Sequence, residues 1–86
     1  MKDKVLPIGS VIKMQQGDIY LMVCGYVDKK KVIENEHFDY FCCPYPEGIN
    51  GKDYVLAQKD KIDKVIFIGY QDANFVKLVN LLDGEK

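Results

Sequence analysis

Eighty-six residues suffice for one domain, expected over positions 1–86, and a chain of this size buries only about 60 to 65% of the surface its unfolded form exposes. A hydrophobic content of 48%, with 12% aromatic residues, offsets chain entropy and excludes a disordered chain. Twelve Lys and Arg against 13 Asp and Glu give a formal net charge of -1, which excludes the basic footprint of a nucleic-acid binder.

The N-terminus Met1-Lys2-Asp3-Lys4-Val5 holds no apolar stretch long enough for a signal-peptide core, and no apolar run approaches a membrane span, so the expected address is the cytoplasm without membrane contact. Pro7 and Gly9 mark a turn, and Ser10-Val11-Ile12-Lys13-Met14 reads as a β-branched strand. Gln15-Gln16-Gly17-Asp18 is a second turn, with Gly17 free to take positive φ. Ile19 to Val27 then follows as a long strand, so residues 10–27 predict a β-hairpin, with Gly25 marking a bulge or bend. The charged patch Asp28-Lys29-Lys30-Lys31 reads as a solvated hairpin tip.

Phe38 to Cys43 is the third strand, with Phe38, Tyr40 and Cys42 facing one way and Asp39, Phe41 and Cys43 the other. Pro44 and Pro46 cannot donate ladder hydrogen bonds, so pairing should stop or reach an edge there. Tyr45-Pro46-Glu47-Gly48 spells a structural turn in which Gly48 is expected to adopt a backbone conformation closed to β-branched residues. Glu47 is expected there to be solvated or to cap an amide. Tyr54 to Ala57 is a short fourth strand and Asp60 to Asp63 a single helical turn. Val65-Ile66-Phe67-Ile68, apolar on both faces, predicts a central strand.

A helix closes the chain, with Asp72 as N-cap, Phe75, Val76, Leu78, Val79, Leu81 and Leu82 as its apolar residues, and Gly84 as its end. At helical spacing these six cover an arc of about 220°, roughly twice what docks a surface helix on its own core. Phe75, Val79 and Leu82 lie near the centre of that arc and should face the sheet, whereas Val76 and Leu81 lie on opposite flanks, about 140° apart. The fold class expected is α+β: about five strands as a small bent antiparallel sheet or an SH3-like barrel, with one C-terminal helix.

Chemistry-bearing residues are sparse. Cys24, Cys42 and Cys43 cannot all pair within one chain and are expected to be reduced. Adjacent strand residues point to opposite faces, so Cys42 and Cys43 are badly placed to hold one metal ion. His37 stands about 16 to 20 Å along an extended strand from them, too far for a Cys and His nucleophile pair. No phosphate loop is present, and the expectation is no catalytic residue, no cofactor and no metal. The aromatic residues have apolar or acidic neighbours, which favours core packing or a protein interface over base stacking. The candidate partner-binding residues are Val76, Leu78 and Leu81 on the helix and Tyr20, Tyr40 and Phe41 on the sheet.

Five blocks in order, Leu6-Pro7-Ile8-Gly9-Ser10-Val11, Leu21-Met22-Val23-Cys24-Gly25-Tyr26, Phe38-Asp39-Tyr40, Tyr45-Pro46-Glu47-Gly48 and Ile62-Asp63-Lys64-Val65-Ile66-Phe67-Ile68-Gly69-Tyr70, resemble the small bacterial family called domain of unknown function 4176. The resemblance implies a setting beside type VII secretion genes and LXG toxins of Gram-positive bacteria. It further implies a non-enzymatic accessory protein, a chaperone or targeting factor that binds the helical N-terminal domain of a secreted effector. It carries no catalytic residues to transfer. Two rival expectations are an immunity protein that neutralises a toxin domain, and a thiol-dependent enzyme using Cys42 or Cys43. A second copy of the chain is the alternative partner.

Overall fold

A computed structural model describes residues 5–28, 32, 35–49, 51 and 54–84. Along the chain these form β1 (Val11–Met14), β2 (Tyr20–Tyr26), β3 (Tyr40–Tyr45), β4 (Val55–Ala57), one 3-10 turn (Lys59–Lys61), β5 (Ile62–Phe67) and α1 (Ala73–Gly84). The strands build one antiparallel sheet in the order β4-β3-β2-β1-β5. β4 and β5 are left as edges, so of the two architectures the element pattern allows, the chain adopts the open sheet and not the closed barrel.

Alternation along the strands sorts side chains onto two faces. Ile12, Leu21, Val23, Tyr40, Cys42 and Ala57 form the buried core on the inner face, with Val5, Leu6, Met14, Tyr26 and Ile62 packed around them. The register pairs Val11 with Met22 and Met22 with Cys43, and Lys13 with Tyr20 and Tyr20 with Tyr45, which sets these residues on the outer face. The register slips between Val23 and Gly25, so Cys24 is the bulge residue that Gly25 leads one to expect.

β3 is Tyr40–Tyr45 and not Phe38 to Cys43; it runs through Pro44, which pairs with Leu21 and reaches an edge on its other side as expected, because β4 pairs only with Tyr40, Phe41 and Cys42. The position of the last strand is also corrected. β5, whose two-faced apolarity suggests a central strand, is an edge strand paired on one side with β1. Val65, Ile66 and Phe67 are consequently exposed. Register slips on β1 at Val11/Ile12 and at Lys13/Met14 give this edge two irregularities, a device that blunts edges. The helical turn before β5 begins slightly earlier than the sequence suggests, and the Asp39 carboxylate accepts the Lys59 N–H at 2.7 Å.

The order of blocks in the sequence finds its physical meaning in three dimensions. The Leu6 N–H donates to the Tyr40 hydroxyl at 3.1 Å, while the Tyr26 hydroxyl donates to the Leu6 carbonyl at 2.6 Å. The Gly69 N–H donates to the buried Ser10 hydroxyl at 3.0 Å, joining the end of β5 to the start of β1. Blocks far apart in sequence therefore meet as clasps that hold the N-terminal segment against the sheet.

The Tyr45-Pro46 peptide is cis, and Gly48 has φ 79° with its N–H donating to the Pro44 carbonyl at 2.7 Å. Open space surrounds the position a Gly48 side chain would occupy, so the cost of substitution is backbone strain alone. Gly48→Val is expected to lower stability by roughly 1 to 2 kcal/mol in urea titration, with Gly48→Asn costing less because Asn tolerates left-handed backbone. Equal midpoints for the valine variant and the parent would show that φ is ordinary there.

Candidate protein-docking surface

The helix begins where Asp72 caps it, its carboxylate accepting the Phe75 N–H at 3.0 Å and its carbonyl accepting the Val76 N–H at 3.1 Å. Phe75, Leu78, Val79 and Leu82 are half-buried, a spacing that marks one helical face. Leu82 joins Val5, Tyr26, Val27, Asp39, Tyr40 and Lys59 around a shallow pocket at the inner face of the sheet. Val76 and Leu81 stand out from that face, 55% and 67% exposed. Of the helical candidates, these two are accessible, and Leu78 belongs with the inward stripe.

The sheet candidates divide differently. Tyr20 is exposed beside Tyr45, its cross-strand neighbour, and Phe41 is half-buried with its ring edge-on to Tyr54 at 5.6 Å. Tyr40 is corrected: it is 1% exposed, fills the core against Tyr26 and has its hydroxyl taken by Leu6, so it is not part of any accessible surface. Tyr45, assigned by sequence to the turn, ends β3 as an exposed outer-face aromatic, while Pro46, Glu47 and Gly48 form the turn itself.

Beyond the expected residues, β5 and the segment that follows it contribute Val65, Ile66, Phe67, Ile68 and Tyr70, all exposed, with Tyr70 reaching 79%. The signal for this surface is present in the sequence as two-faced apolarity; what the sequence lacks is the strand order that leaves it at an edge.

The thiols sit in contrast to this surface. Cys42 is sealed in the core, and burial pushes its thiol up to about 12. Cys24 is pushed up to about 11 by burial, with the neighbouring Cys43 thiol adding to the effect. Thiol catalysis uses the reverse shift, toward a stable thiolate at neutral pH. His37 is exposed ahead of β3, its carbonyl accepting from the Gln58 side chain at 2.8 Å. Among the described residues no group of three or more His, Cys, Asp or Glu is placed to hold a metal ion, and no helix is long and apolar enough to cross a membrane.

An open five-stranded antiparallel sheet carrying one capped C-terminal helix defines a small α+β domain. The chain belongs to the family described as Domain of unknown function (DUF4176), whose model matches residues 5–78. That span takes in both ends of the Ser10 and Gly69 clasp and the helix as far as Leu78. No match is found among curated proteins or among solved structures.

Proposed function

We propose that the chain is a non-enzymatic protein-binding module that acts in the cytoplasm as an accessory factor, a chaperone or targeting protein, for a type VII secretion effector of the LXG toxin kind. The observation that carries the binding reading is the exposure of large apolar side chains along the last third of the chain, from Val65 through Phe67 and Tyr70 to Val76 and Leu81. Scattered exposed apolar residues are ordinary, but a run of this density on an edge strand and the helix after it suits a partner that covers it. The effector context rests on the family resemblance. The near-neutral charge favours this reading over an immunity protein, whose target would call for a complementary charged patch.

Val76→Asp and Leu81→Asp, each at an exposed position, should leave the fold intact and weaken effector binding by more than about 1 kcal/mol. Isothermal titration against the separate N-terminal and C-terminal halves of an LXG effector reads this directly. Binding to the helical N-terminal half supports the accessory role, and binding to the toxic half alone replaces it with the immunity reading. Full affinity in both variants moves the interface to the outer-face aromatics Tyr20, Phe41 and Tyr45.

A further inference from the structure

We propose that Cys24 and Cys43 form a dithiol that closes into an intramolecular disulfide when the chain meets a low-molecular-weight disulfide, tying β2 to β3 across the outer face of the sheet. The two Sγ atoms lie 3.3 Å apart, on neighbouring strands. The bulge creates this approach: Cys24 has no residue directly opposite it, because Val23 pairs with Cys42 and Gly25 with Phe41. A disulfide needs its sulfurs about 2.05 Å apart, so closure asks for a shift of little more than 1 Å, within the reach of side-chain rotation.

The three thiols have distinct roles in this chemistry. Cys24 is half-exposed and meets the reagent; Cys43 is 2% exposed and resolves the mixed disulfide from within. Cys42 points to the opposite face, among Ile12, Val23 and Ala57, and takes no part. With oxidised glutathione as oxidant, the Cys24 thiolate attacks one glutathione sulfur, forming a mixed disulfide and expelling one glutathione thiolate. The Cys43 thiolate then attacks the Cys24 sulfur, forming the protein disulfide and expelling the second. The two protons lost by the protein thiols go to the two glutathione thiolates, so two protein thiols are oxidised and one glutathione disulfide is reduced. The upward-shifted Cys24 thiol makes the first attack slow at neutral pH and faster as pH rises.

The test is incubation of the intact chain with oxidised glutathione at pH 8.5, followed by intact mass, thiol titration after unfolding, peptide mapping and thermal melting. The expected result is loss of two hydrogen masses and of two titratable thiols, a peptide pair bridged through Cys24 and Cys43, and a melting temperature higher by about 10 °C or more that reverts on reduction. Cys42→Ser should behave in the same way and Cys24→Ser should not form the bridge; the mapped bridge in the parent chain decides the matter should Cys43→Ser fail to fold. Three intact thiols, a persistent glutathione adduct on Cys24, or a bridge only between two chains would each overturn the proposal.

Discussion

Gly69→Ala is expected to lower the unfolding free energy by roughly 3 kcal/mol or more, far beyond what a single methyl group costs at an open position. The reason is backbone proximity. A Cβ on Gly69 would collide with the Ile8 carbonyl oxygen and press on the Ile8 carbonyl carbon and the Ser10 amide nitrogen, none of which can swing aside as a side-chain tip could. Relieving the collision means pulling β5 away from the Pro7 to Ser10 turn. That breaks the Gly69 N–H to Ser10 hydroxyl bond and leaves the buried Ser10 oxygen without its partner. Ser10→Ala removes the acceptor without the collision and, by leaving the buried Gly69 N–H without a partner, should cost about 1 to 2 kcal/mol, so the difference between the two variants in urea titration isolates the steric part. Similar midpoints for Gly69→Ala and the parent chain would mean that the two segments do not approach as described.

Tyr40→Ala is expected to cost about 3 to 5 kcal/mol. A domain of this size holds roughly 4 to 13 kcal/mol in total, so this variant should stand near the limit of folding at 37 °C. Tyr40 supplies the largest fully buried side chain of the core and packs its ring 6.0 Å from that of Tyr26. Its hydroxyl accepts the Leu6 N–H, which anchors the N-terminal segment. Tyr40→Phe keeps the ring and loses only the hydroxyl; roughly 1 to 2 kcal/mol is the expected loss, since the Leu6 N–H is partly buried and loses its acceptor. A melting curve in which the phenylalanine and alanine variants coincide would show that the ring contributes nothing beyond its hydroxyl, contrary to its burial.

The parts of this fold governed by local rules are legible in the sequence. Gly17 at positive φ turns β1 into β2, and Asp72 caps a helix whose inward residues Phe75, Val79 and Leu82 follow the expected spacing, while Leu78, expected at the partner surface, is half-buried beside them. Strand alternation correctly sends Tyr40 and Cys42 to one face and Phe41 and Cys43 to the other. It does not reveal which of those faces is the core, and Tyr40 was therefore an interface candidate that burial removes. β5 is misread for a related reason: apolarity on both faces describes a strand that wants cover on both sides, but the position of that strand in the sheet is fixed by pairing with β1 at the other end of the chain. The approach of Cys24 to Cys43 lies beyond sequence reading because it depends on the register of β2 against β3, which no short turn fixes.

The order in which strands neighbour one another also shapes how the molecule assembles. β1, β2, β3 and β4 each pair with the strand before or after them, whereas β5 must return to the first strand, bringing Val65 beside Ile12. Closing a loop of about fifty residues costs roughly 2 kcal/mol more chain entropy than closing the β1 and β2 hairpin. The meander is thus favoured to form first, leaving the far side of β1 bare until the last strand arrives. During synthesis that interval lasts until residues 62–67 have left the ribosome, so the nascent chain spends it with one edge of the strand Val11–Met14 unpaired, a surface open to chaperones and to aggregation alike.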